Sequence, residues 1–177
     1  MSQSTLSPEA NELLVKVTNT LKEENKACLI VGTPGVGKFA TLKTLCEEHG
    51  YEMVSVFADN MSKSIEHVTK ENGETCQRYC YTIPQLEEAL TYAENNPNGT
   101  VVLVIDEVLR TIDTDTISFL SLLITSRTYK GRTIPSNVCI YLMGTRINPV
   151  LRPEHTVLQD HCINIRMDKP FTLELTK

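Results

Sequence analysis

The chain predicts an α/β three-layer sandwich around a central, mostly parallel five-stranded sheet. Three stretches predict it. A continuous apolar run, Ala27-Cys28-Leu29-Ile30-Val31, leads into a glycine-rich turn and then an amphipathic segment. A second run, Val101-Val102-Leu103-Val104-Ile105, ends in Asp106-Glu107, and a third, Val138-Cys139-Ile140-Tyr141-Leu142-Met143, ends in Gly144-Thr145-Arg146. Apolar runs without polar alternation are what a parallel sheet covered on both faces requires.

The elements follow in order. Residues 1–6 show no pattern and are expected to be loose. Ser7-Pro8-Glu9 starts a helix with a capping hydroxyl, a proline at its first position and an acid in its first turn. That helix should run to about Lys22, with Leu13, Leu14, Val17 and Leu21 on one face. After strand 27–31 and its turn, residues 39–49 read as a helix with Ala40, Leu42, Leu45 and Cys46 apolar. Tyr51–Ala58 is the second strand. Residues 59–80, rich in Asn, Ser, Thr and Lys, read as a mixed loop and short helix. Asn95–Gly99 is a turn before the acidic strand. Residues 113–126 form a helix with Ile117, Leu120, Leu123 and Ile124 inward, and a last strand lies around Cys162–Met167.

A length of 177 residues implies a single domain over 1–177. The net charge of −5 gives no electrostatic reason to expect a nucleic-acid or membrane partner. Arg127, Lys130 and Arg132 cluster locally and read as a solvated turn. Cys76 and Cys80 are four apart with His67 upstream, but no second metal-binding pair accompanies them. Cys28, Cys46 and Cys139 fall in core elements and read as small apolar residues. Residues 1–25 are polar and charged, unlike a signal peptide, and no apolar run approaches the ~20 residues of a membrane span. Reduced thiols in the cytoplasm are the expectation.

Gly32-Thr33-Pro34-Gly35-Val36-Gly37-Lys38 has the spacing of a phosphate-binding loop, which continues with Ser or Thr; here Phe39 stands in that place. The glycines let successive N–H groups turn inward around a phosphate. The helix N-terminus adds partial positive charge, and Lys38 reaches the terminal phosphates. Charge-assisted hydrogen bonds contribute ~1.5–3 kcal/mol each, so a few amides and one lysine suffice to hold a nucleoside triphosphate. Phe39 has no oxygen for the Mg²⁺ that bridges two phosphates, and Thr41 faces a different side of the helix. A water can replace the missing ligand, so binding should survive better than catalysis.

The carboxyl ends of parallel strands line the ligand crevice. Asp106 and Glu107 are therefore expected beside the glycine turn, on an adjacent strand. Asp106 would hold Mg²⁺ through water and Glu107 would polarise the attacking water as general base. Thr145, at the end of the third strand, either orients that water or touches the terminal phosphate, or it merely begins a turn.

Taken together, these motifs resemble the AAA+ ATPase core, a P-loop NTPase, and most closely its dynein-related, midasin and MoxR-like branch. Arg127-Thr128-Tyr129-Lys130-Gly131-Arg132-Thr133-Ile134-Pro135-Ser136-Asn137-Val138 is similar to that branch's Arg-containing turn, and Pro84-Gln85-Leu86-Glu87-Glu88-Ala89-Leu90 to its helix before the acidic strand. The resemblance covers about residues 10–168. It implies ATP and ADP as ligands, Mg²⁺ as cofactor, and catalytic roles for Lys38, Glu107 and Thr145. It also implies slow ATP hydrolysis that drives or gates protein assembly or remodelling, in a homo-oligomeric ring or a larger AAA+ assembly.

The chain departs from the pattern at Phe39, at Leu109 and Thr145 (Asn in the family) and at Asp160-His161-Cys162, which aligns with an Asp-Arg-Phe motif. Arginine fingers are worth ~10³–10⁵ in turnover in related systems, and a mostly neutral imidazole is a poor substitute. Arg127, Arg146, Arg152 and Arg166 are the alternatives, and otherwise solvated surface residues. The family adds a helical lid after the core; about nine residues follow Asp168, too few for one. The lid is then absent by nature, supplied by another chain, or lost because the sequence is a fragment. Two other readings stay open. One is a nucleotide-responsive binding or adaptor module with little or no turnover. The other is a small nucleotide or metabolite kinase, which would lack an arginine-rich lid and leave Glu107 unexplained.

Overall fold

A computed structural model describes residues 6–146 and 152–177. The N-terminal stretch expected to be loose lies outside these residues from 1 to 5, whereas Leu6 is buried in the core. Helix α1 (Pro8–Glu24) begins at Ser7, whose hydroxyl accepts a hydrogen bond from the Ala10 amide at 3.2 Å. Strand β1 (Ala27–Gly32), helix α2 (Lys38–His49) and strand β2 (Glu52–Phe57) follow. A long hairpin comes next, β3 (Ser62–Thr69) and β4 (Thr75–Thr82), and then α3 (Pro84–Asn95). Strand β5 (Val101–Asp106) carries the first acid and leads to α4 (Thr114–Ser126). A small ribbon, β6 (Thr128–Tyr129) and β7 (Arg132–Thr133), precedes β8 (Val138–Thr145). The short α5 (Thr156–Asp160), β9 (Cys162–Lys169) and β10 (Thr172–Thr176) end the chain.

The central sheet has six strands in the order β10-β9-β1-β8-β5-β2. All neighbouring pairs are parallel except β9 with β10. The five-stranded expectation is therefore one strand short. Thr172–Thr176 folds back on β9 through a turn in which Phe171 has φ 56, and its largely exposed residues give no apolar run to find.

Alternation along the central strands builds the three layers. Leu29, Val31, Leu103, Ile105, Ile140 and Leu142 point to one face and pack with α3 and α4 through Leu86, Leu90, Leu120 and Leu123. Cys28, Ile30, Val102, Val104, Cys139 and Tyr141 point to the other and pack with Leu14, Leu21, Leu42 and Leu45 of α1 and α2. β1 is buried along its whole length, as its unbroken apolar sequence requires.

The second correction concerns residues 59–80. After a single 3₁₀ turn at Ala58–Asn60 they form the β3–β4 hairpin, closed by Asn72-Gly73 with Gly73 at φ 84. Most of its residues are exposed, so polar composition here reflects a ribbon wetted on both sides rather than a loop. Its base is held by Tyr81, stacked on Phe119 and hydrogen-bonded to Thr116 at 3.1 Å, and by Lys63 paired with Asp113 and Asp115. Cys76 and Cys80 lie on one face and His67 on the other, so the three cannot share a metal.

The third correction concerns the basic turn. Arg127 is only 6% exposed, not a solvated surface arginine. Its Nη2 donates to the carbonyls of Pro135 and Val138, each at 2.8 Å. Lys130 and Arg132 pair with Glu87 and Glu94 of α3. Asn137 donates to the Ala93, Asn96 and Gly99 carbonyls. The segment is a clamp that ties β8 to the end of α3.

Candidate functional site

The C-terminal ends of β1, β8, β5 and β9 meet at one edge of the sheet, and the glycine turn rises from it. Register aligns Gly32 with Thr145 of β8 on one side and Met167 of β9 on the other. The crowding there admits no side chain: a Cβ on Gly32 would sit 1.8 Å from the Met167 carbonyl oxygen. Gly35 and Gly37 have φ 71 and φ 89, a backbone conformation that glycine adopts without cost. Val36 is buried in the core and anchors the turn, while Pro34 and Gly35 are exposed and Thr33 is half-buried.

Gly37 caps α2 with no side-chain bond to the first helical amides. Those amides and the positive end of the helix are free to meet an anion. Lys38, in the same turn, is only 8% exposed. Its Nζ curls back onto the carbonyls of Gly32 at 3.3 Å and Thr33 at 3.0 Å. No carboxylate among the described residues forms an ion pair with it. Burial lowers its pKa from the ordinary lysine value, opposed by the negative charges of Asp106, Glu107 and Asp168.

Asp106 and Glu107 are at this edge but not on the strand next to the turn. β8 lies between β1 and β5, so the acids stand one strand further off and Thr145 occupies the place beside Gly32. The expectation of an adjacent acidic strand is corrected accordingly. The long connections between parallel strands leave the spatial order free, and an apolar run does not encode it.

Glu107 is unusual in two ways. Its backbone has φ 60, a region that costs a residue with a side chain about 1–3 kcal/mol. Its Oε2 is buried without a hydrogen-bond partner. A half-buried carboxylate with a free oxygen, on a strained turn, is equipped to accept a proton. Asp106 Oδ1 accepts the Glu107 amide at 2.7 Å and helps hold that turn. Val108 donates to the Met143 carbonyl at 3.0 Å, and Leu109 packs over Gly144, where a Cβ would meet its Cγ at 2.3 Å.

The residues do not fit a directly coordinated Mg²⁺. Phe39 is 40% exposed and supplies only a ring. Thr41, 1% exposed, donates its hydroxyl to the Gly37 carbonyl at 2.9 Å on the buried side of α2. Among the described residues no three His, Cys, Asp or Glu side chains gather where they would hold a metal ion.

His161 is exposed immediately before β9, at the opposite end of that strand from Met167 and the glycine turn. Arg166 pairs with Asp168, and Arg152 is exposed. Asp168 escapes a motif-based reading. Its carbonyl accepts the Thr33 hydroxyl at 3.3 Å and its charge acts on Lys38. Its position near the C-terminal end of β9, next to β1, brings it to the site.

A surface concavity of about 700 Å³ runs along α1 from Pro8 to Glu23, with His49 at its side, and includes no residue of the glycine turn. Among the described residues no helix is long and apolar enough to cross a membrane. No protein-family model matches the chain, and no curated protein matches it.

Proposed function

We propose that this chain binds ATP at the Gly32–Phe39 turn and hydrolyses it slowly, as an AAA+-like ATPase core whose nucleotide state drives or gates protein assembly or remodelling. The observation that carries the reading is Lys38, a largely buried lysine beside free helical amides and without a carboxylate partner among the described residues. Burying an unpaired cation costs several kcal/mol after relaxation, and a polyphosphate is the ligand that would offset it.

Lys38 and the amides of the turn hold the phosphates. Glu107 takes a proton from a water whose oxygen attacks the terminal phosphorus, while the bond from phosphorus to the bridging oxygen breaks. Thr145, next to Gly32, orients that water or the terminal phosphate. The strained Glu107 turn and its unpartnered oxygen support the role of base. His161 stands too far along the sheet to reach its own turn, which supports action on a neighbouring copy's nucleotide in a ring.

A second reading is favoured by one specific pair of residues. Phe39 and His161 replace the two groups that accelerate phosphoryl transfer most, so the chain serves as a nucleotide-responsive binding module without turnover. Calorimetry with ATP, ADP and GTP, alongside a solution mass measurement, tests the common ground; no affinity for any purine triphosphate would sink both readings. Turnover then separates them. The ATPase reading expects Glu107→Gln to lower phosphate release by at least about 100-fold, and an unchanged rate removes Glu107 as base.

A further inference from the structure

We infer that the chain gives a divalent metal no direct ligand, so that the metal enters only on the nucleotide, with its remaining positions kept by water. The inference rests on the proposed phosphate site and concerns how that site treats the metal riding on the phosphates.

The side-chain positions nearest the turn offer no free oxygen, and the acids stand one strand further off. Phe39 has no oxygen, yet it occupies the first position after Lys38, where a hydroxyl would point at the phosphates. Thr41 is the next hydroxyl on α2, but it is buried against Met167 and bonded to the Gly37 carbonyl. Thr33 turns its hydroxyl to the Asp168 carbonyl at 3.3 Å, toward β9. Asp106 commits one oxygen to the Glu107 amide and stands across β8 from the turn.

Charge nevertheless favours a metal over none. Asp106 and Glu107 stand at the same sheet edge as Lys38 without an ion pair among the described residues, whereas Asp168 is paired with Arg166, so a bare triphosphate meets two uncompensated acids beside one ammonium. A hydrated cation on the phosphates screens that repulsion, because Mg²⁺ keeps several of its waters readily and those waters donate to carboxylates. The site is built to recognise the shell around the ion and not the ion.

A substitution-inert nucleotide tests this. In the tetraamminecobalt(III) complex of ATP the metal–phosphate bonds are fixed, and the four ammines cannot be displaced by a protein oxygen. Calorimetry should show the wild-type chain binding this complex and the Mg²⁺ complex within about threefold, both more tightly than metal-free ATP. Phe39→Ser should gain about tenfold for the Mg²⁺ complex alone, with the inert complex unmoved. A wild-type preference for Mg²⁺ of tenfold or more overturns the inference, since it requires an inner-sphere protein ligand. Equal affinity for metal-free and metal-bound ATP also overturns it, by removing the hydrated ion from recognition. Absence of binding in every arm instead removes the phosphate site itself, a pattern distinct from both. The two wild-type comparisons decide the matter even if Phe39→Ser fails to fold.

Discussion

Lys38 and Arg127 are two buried cations at opposite ends of the same sheet. Each donates to two backbone carbonyls, and among the described residues neither forms an ion pair. Burial lowers the pKa of both. Their surroundings differ. Lys38 stands among helical N–H groups, three acids and a turn whose outer residues are exposed. Arg127 sits at the end of α4, where its own amide bonds Leu123 and its carbonyl accepts Ile134 at 2.7 Å, under the clamp formed by residues 128–138. Arg127 is held by its Nη2 alone, which donates to the Pro135 and Val138 carbonyls, while its Nε and Nη1 are buried without a partner; as a cation at a helix C-terminus it nevertheless meets dipoles of the favourable sign. Lys38 has two carbonyl acceptors of its own but lies at a helix N-terminus, beside amides that could share an anion with it. Burial alone does not mark a binding site; the sign of the neighbouring dipoles does.

Exchanging the readouts breaks or sharpens this contrast. The largest effect is expected from Arg127→Met, which leaves two carbonyls without their donor and should lower unfolding free energy by about 2–3 kcal/mol, measured in urea. Nucleotide affinity should not change. Lys38→Met should do the opposite: affinity for ATP falls by about 10–100-fold, the equivalent of one or two charge-assisted contacts. Stability holds or rises, because a desolvated ammonium is gone. Similar losses of stability in the two variants would erase the distinction.

The smallest effect is a pH dependence. Phosphate stabilises the charged form of Lys38, so binding raises its lowered pKa and takes up protons wherever the free lysine is partly neutral. Affinity is full below the pKa of the free state. It declines above it, starting below the ordinary lysine value of ~10.4, by up to about tenfold per pH unit. Isothermal titrations across the alkaline range should show this slope in the wild type and a flat profile in Lys38→Met.

The contrast also shows what a sequence discloses. Apolar runs are legible because β1, β5 and β8 are covered on both faces, so Ala27–Val31, Val101–Ile105 and Val138–Met143 announce themselves. The glycine turn is legible from spacing. Strands that face water are not: β3 and β4 carry polar residues on both sides, with only Asn72-Gly73 as a hairpin signal, and β10 has just two apolar residues, Leu173 and Leu175, in a five-residue alternation. Strand order is equally hidden, which is why the acids come out one strand too near and Asp168 goes unnoticed. Arg127 reads as a surface residue because composition cannot say which side of a turn the chain folds over.

The turn that carries the acids is not free to move alone. Val108 is bonded to Met143, and Leu109 is seated over the bare Cα of Gly144, one residue before Thr145. Glu107 and Thr145 are consequently coupled by packing across two strands, and the base of the glycine turn joins them, since Gly32 lies in register with Thr145 and its carbonyl accepts the Arg146 amide at 3.1 Å. A bulkier residue at Gly144 would therefore disturb the acids, Thr145 and the base of the turn together.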